Sequence, residues 1–204
     1  MTDVNITYYN RSMNNDQPTV FIFTKNYVPT FDVLKDGVAW RTLPNIGKGS
    51  SSSFVFPIHS TVQAMWGGCN KTRVIQAEIG KRYTVEKDNT GIVLVPNGDA
   101  SQETAIEVNN TIHVDGGIQA QICKDGKILM TKNIVANDQK ATFVLHPKLY
   151  WGLASEIQDG QQISSAVLNT DSFFEMDIEG MISADVILTG NSKDGYEFSV
   201  ENQK

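Results

Sequence analysis

Cysteine and histidine are scarce in this chain, and their scarcity narrows its chemistry. The 204 residues include 2 cysteines, 3 histidines and 6 prolines. Cys69 and Cys123, one in each half, cannot build a disulfide framework, and no CxxC pair is present. Both read as reduced structural thiols. No apolar run reaches the roughly 18 residues that a membrane helix needs, which excludes a transmembrane segment of that kind. The start, Met1-Thr2-Asp3-Val4-Asn5, has neither a basic nor an apolar stretch. It predicts no cleavable signal peptide, and so a cytoplasmic protein or one exported by a non-classical route. The GxSxG elbow, the phosphate-binding Walker loop and the dinucleotide GxGxxG pattern are all missing, so the common hydrolase and nucleotide signatures are not there to be read.

Positive charge is scarce in the second half. The net charge is −6. Residues 1–100 hold 10 Lys+Arg against 8 Asp+Glu, and residues 101–204 hold 7 against 15. All four arginines, Arg11, Arg41, Arg73 and Arg82, lie in the first half. An acidic surface repels phosphate backbones, which argues against nucleic acid as a partner. The asymmetry also permits end-to-end complementarity between neighbouring molecules, and hence a homo-oligomer.

What is abundant is strand patterning. Val20-Phe21-Ile22-Phe23, Phe54-Val55-Phe56, Tyr83-Thr84-Val85 and Gly91-Ile92-Val93-Leu94-Val95 are short, β-branched or aromatic, and bounded by turn residues. Phe174-Glu175-Met176-Asp177-Ile178-Glu179 alternates, with Phe, Met and Ile toward a core and three carboxylates toward water. Leu149, Trp151, Leu153 and Ile157 fit a further strand. Turn pairs such as Asn97-Gly98, Asp115-Gly116-Gly117 and Lys124-Asp125-Gly126 recur at strand spacing. The expected fold is all-β, with few and short helices.

The two halves read as a diverged repeat. Residues 5–12 parallel residues 105–111, and Ile46-Gly47-Lys48-Gly49-Ser50 before Phe54 parallels Val135-Ala136-Asn137-Asp138-Gln139 before Phe143. This predicts tandem antiparallel β-sandwich units at 1–100 and 101–204, joined by a linker at residues 97–102, since about 100 residues suffice for such a unit. The expected cores are Ile6, Tyr8, Val20, Ile22, Phe54 and Val93 in one unit. In the other they are Ile106, Val108, Ile122, Phe143, Trp151 and Ile187. The alternative is one continuous sandwich in which strands of both halves share sheets.

Several motifs resemble a family. Val38-Ala39-Trp40-Arg41, Phe54 with Pro57, Lys124-Asp125-Gly126-Lys127, Gly160-Gln161-Gln162, Ser165-Ala166, and Ser183 to Gly190 with Glu197-Phe198 carry the resemblance over nearly the whole chain. They are similar to those of a bacterial family of about 200-residue all-β proteins, often labelled as the small subunit of an aromatic ring-opening dioxygenase. The resemblance implies a β-sandwich, and the label implies iron.

Ring-opening by non-haem iron(II) needs two histidines and a carboxylate on one face of the metal. His59, His113 and His146 are the whole supply, so the candidate set is His113, Asp115 and His146. Asp115 also suits the turn Asp115-Gly116-Gly117 without a metal. His146-Pro147 mirrors Phe56-Pro57, which favours a structural position. The residues therefore argue for no cofactor and for a non-enzymatic binding or interaction protein. Its ligand, a glycan or a protein, would meet loops at the sandwich end. Trp66, followed by Gly67-Gly68, is the candidate exposed aromatic, with Asn70 and Tyr150 as further ligand-binding candidates. Trp40 and Trp151 read as core. The alternatives are a self-assembling structural protein and the iron dioxygenase. Glu175, Asp177 and Glu179 read as a solvent-facing comb rather than a calcium site. The Asn-x-Ser/Thr triplets at Asn5, Asn10, Asn70 and Asn109 read as Asn-rich turns.

Overall fold

The computed structural model describes residues 2–13, 18–163 and 173–204. Ser165-Ala166, part of the family-like pattern, lie outside the described residues. Among the described residues there are seventeen strands and one single-turn helix, α1 (Val33–Asp36). The all-β expectation holds. No helix among them is long and apolar enough to cross a membrane.

The strands form four sheets. Sheet I has the order β17 (Gly195–Glu201), β16 (Ser183–Asn191), β1 (Val4–Asn10), β4 (Ser51–Phe56). Sheet II runs β15 (Phe174–Asp177), β14 (Lys148–Ala154), β2 (Thr19–Phe23), β3 (Arg41–Leu43). Sheet III runs β13 (Lys140–Val144), β10 (Ala105–Asn110), β8 (Lys81–Asp88), β9 (Gly91–Asp99). Sheet IV runs β12 (Lys127–Val135), β11 (Ile118–Lys124), β5 (Ser60–Trp66), β6 (Asn70–Lys71), and β7 (Ile75–Ala77) also pairs with β5.

Every sheet contains strands from both halves of the sequence. β1 lies parallel to β16, β10 parallel to β8, β2 antiparallel to β14, and β5 antiparallel to β11. A cut at residue 100 would therefore pass through all four sheets. Because the halves interleave, their unequal charge does not translate into two separately charged blocks.

The registers follow the alternation. Ile6 faces Phe54 across β1 and β4, and Ile106 faces Phe143 across β10 and β13. Sheets I and II pack through aromatic rings, with Trp151 of β14 against Tyr8, Phe54 and Phe198 at 6.0–6.4 Å between centroids. One continuous core takes Ile6, Tyr8, Val20, Ile22 and Phe54 from the first half and Ile106, Val108, Ile122, Phe143 and Trp151 from the second. Ile187 is buried too. Val93 is only half-buried, and its neighbour Leu94 fills the core instead.

Turn chemistry behaves differently at two similar sites. Asp125 and Gly126 both have positive φ (52° and 69°), the geometry of a two-residue hairpin loop between β11 and β12. Asn97-Gly98, read as the start of a linker, instead continues β9 as far as Asp99, which pairs with Lys81. Gly98, at φ 74°, lies where the β8–β9 register shifts, so its freedom serves a bulge rather than a domain boundary.

Candidate functional site

Six strand ends converge on a cleft of about 560 Å³. Phe56 closes β4, Ser60 opens β5, Ala77 closes β7 and Lys124 closes β11. Pro147 precedes β14 and Ile178 follows β15. The walls are mostly apolar, with Leu129, Met130 and Leu145 joining Phe56, Ala77 and Ile178. Ile58 and Ile79 stand on the rim, 37% and 57% exposed, in positions where isoleucine gains little from water.

Lys124 is the unusual member of this lining. β11 sends Ile118, Ala120 and Ile122 inward on alternate positions, and Lys124 continues that phase. It is 6% exposed. Its Nζ donates to the carbonyl oxygens of Pro57 at 2.6 Å and Ile58 at 2.7 Å, with that of His59 at 3.5 Å, and lies 4.9 Å from the Phe56 ring centroid. Among the described residues it has no carboxylate within ion-pair distance. Burial pushes its ammonium down to about 8, against a smaller upward pull from Asp3. The backbone oxygen of Lys124 accepts from Trp40 Nε1 at 3.0 Å, so the indole buried beneath fixes the strand end.

Thr24, just past β2, also lines the cleft. It is 5% exposed, and its Oγ1 is buried with no partner among the described residues. His59 and His146 stand at the cleft as well. His59 Nδ1 is 3.3 Å from Gln76 Nε2, and His146 stacks on Tyr27 with 4.0 Å between ring centroids.

A second, more open groove of about 350 Å³ holds Trp66. Gly67, Gly68, Asp115, Gln119 and Asn133 line it too. A ladder of side-chain amides crosses sheet IV toward it. Gln63 donates to Gln121 at 2.6 Å, Gln121 to Gln119 at 2.9 Å, and Gln119 to Asn133 at 2.8 Å.

The ligand-binding candidates are thus only partly united. Asn70 is the cross-strand partner of Trp66, on the exposed β6. Tyr150 lies elsewhere. It is buried in β14, with its hydroxyl 2.6 Å from that of Tyr27 and donating to Glu175 at 2.8 Å. Burial first, and those two hydrogen bonds next, hold its phenol well above the usual range. A phenol packed against Phe23 and bonded to Glu175 is a core tyrosine whose polar tip is satisfied.

The iron set is not assembled. His146 stands at the Lys124 cleft, whereas Asp115 lines the Trp66 groove and His113 is exposed. Among the described residues no three His, Cys, Asp or Glu side chains gather to hold a metal ion. Asp115 is instead part of the turn Asp115-Gly116-Gly117, where both glycines have positive φ. The sequence reading also missed Lys124 and Thr24. The signal for Lys124 was present, a lysine in the inward phase of an apolar alternation. Cys69 is exposed and Cys123 buried, both free, and burial pushes the Cys123 thiol up to about 11. No family model, curated protein or solved structure matches this chain.

Proposed function

We propose that the protein is a non-enzymatic binding protein whose principal ligand enters the cleft beside Lys124. The observation that carries this reading is the convergence of apolar walls and a few polar groups at six strand ends. Ligand sites are typically concave and apolar with sparse polar contacts, and a volume of about 560 Å³ falls in their range. Loops at strand ends are where a rigid β scaffold carries recognition. The test uses a neutral fluorescent probe, N-phenyl-1-naphthylamine. Saturable enhancement that is lost in Leu145→Trp, which fills the cleft, is the expected result. Absence of saturable binding counts against the reading.

The Trp66 groove supports a second reading, a glycan site. A tryptophan beside carboxamides and a carboxylate offers a sugar both a stacking face and hydrogen-bonding groups. A glycan array repeated with Trp66→Ala tests it, and an array without hits removes it.

The two halves are, in this proposal, diverged copies that interleaved. The support is that the alignment of residues 5–10 with 105–110 carries the strand registers with it.

A further inference from the structure

We infer that the cleft selects an amphiphile with a single anionic headgroup, such as an aliphatic monocarboxylate. This rests on the reading of the cleft as the binding site and adds the chemistry that it reads. A buried ammonium without a counter-ion is costly, because backbone dipoles offset only part of the lost hydration. Lys124 is in that position on the cleft wall, held by carbonyl oxygens of residues 57–59 and, among the described residues, by no carboxylate. An anion arriving there restores a full opposite charge in a low-dielectric setting, where a charge-assisted hydrogen bond is strongest.

Thr24 points to the same ligand independently. Its hydroxyl is buried, on a residue of the same cleft, with no partner among the described residues, and native structures leave few such groups unpaired. A carboxylate has two oxygens, one for the ammonium and one for a hydroxyl donor. The apolar walls formed by Leu129, Met130 and Leu145 then suit the hydrocarbon tail. The charged groups near the headgroup are few. Asp3 acts on Lys124 from outside the cleft, and Glu78 stands exposed on the rim with Ile79. Both carboxylates are exposed and screened by water and salt, whereas the Lys124 ammonium is buried and screened much less.

The experiment is calorimetric titration of the full chain at pH 7 with dodecanoate, dodecan-1-ol and dodecyltrimethylammonium, each below its micelle concentration. The expected result is one site for dodecanoate, binding at least tenfold more tightly than the alcohol, with the cation weakest. Thr24→Val, an isosteric change at a hydroxyl without a partner, should fold and weaken dodecanoate several-fold while leaving the alcohol unchanged. Lys124→Met should abolish the preference for the acid. If Lys124→Met does not fold, the ligand series and Thr24→Val decide. Equal binding of acid and alcohol overturns the headgroup inference and leaves the cleft reading standing. Binding of none of the three removes both.

Discussion

Asn10 and Asn110 end β1 and β10 with matching hydrogen bonds. Asn10 Oδ1 accepts from Ser12 N at 2.9 Å, and Asn110 Oδ1 accepts from Ile112 N at 3.0 Å. Their Nδ2 groups donate to Ile46 O at 2.6 Å and Val135 O at 2.9 Å. Their backbones bond to Gly49 and Ser50 in one case and to Asp138 and Gln139 in the other. Gly49 and Asp138 share a positive φ, 79° and 59°. Both asparagines are fully buried, so each side chain has to satisfy its own amide and the chain that turns away from it.

Replacing either asparagine by alanine removes the acceptor of a buried N–H and the donor to a carbonyl that is part-buried at Ile46 and buried at Val135. Each of Asn10→Ala and Asn110→Ala should cost about 1–3 kcal/mol in urea unfolding. These side-chain hydrogen bonds have different partners at the two sites, Ser12 and Ile46 against Ile112 and Val135, so the double variant should equal the sum within about 0.5 kcal/mol. Aspartate keeps the acceptor but faces Ile46 O or Val135 O with a carboxylate, and should cost more than alanine.

Residues 101–204 expressed alone should not fold. Their strands β10, β11, β14 and β16 lose the partners β8, β5, β2 and β1, and with them a neighbour in every sheet. Unpaired edges of that kind associate. Circular dichroism with a urea titration checks this, and a cooperative transition in the isolated fragment contradicts it. Co-expressed 1–100 and 101–204 should instead co-purify as a folded pair.

Acid should weaken the protein through Glu107. Its side chain has no exposed surface and receives Arg82 Nε at 3.0 Å, Lys140 Nζ at 2.6 Å and the Ser101 hydroxyl. Burial by itself raises a carboxyl pKa, but these three hydrogen bonds outweigh it and hold Glu107 at about 2. Unfolding returns it to an ordinary value near ~4.3. The folded pKa is the lower one, so the stabilisation is present above that ordinary value and is lost as pH falls toward about 2. Unfolding free energies measured from pH 6 to 2.5 should fall across this window. In Glu107→Gln the fall should be shallower, from a lower starting stability.

Gly152 is a packing position. A Cβ there would stand 2.5 Å and 2.8 Å from two ring carbons of Phe21, which is itself fully buried. Gly152→Ala should therefore destabilise by about 1–3 kcal/mol, the usual cost of overpacking. Adding Phe21→Leu should recover part of the loss, and thermal melts of the single and double variants check it. A double variant that loses the sum of both single costs argues that the contact is not the cause.

Much of the strand content was legible in the sequence. Alternation marks which side chains face inward, and Ile6 with Phe54 and Ile106 with Phe143 are buried cross-strand pairs. Phe174, Met176 and Ile178 likewise alternate with outward carboxylates, and Met176 and Ile178 are buried. Asp125-Gly126 announces its hairpin because few residues tolerate two positive φ angles in succession. Asn97-Gly98 carries a similar signal with another meaning, since a glycine at positive φ serves a bulge as readily as a turn.

The sequence by itself determined the elements, their inward faces and the local chemistry of their ends. Beyond hairpins such as that of β11 and β12, tertiary structure alone decided which strands became neighbours. Every strand offers the same backbone donors and acceptors to any partner, and an apolar face specifies burial without naming what covers it. Hence β1 pairs with β4 nearby and with β16 far along the chain, and nothing in residues 4–10 distinguishes the two. The cleft follows the same rule. Lys124, Thr24 and Leu145 lie at the ends of three different strands, and only the tertiary structure places a buried ammonium, a hydroxyl unpaired among the described residues and an apolar wall on one cleft.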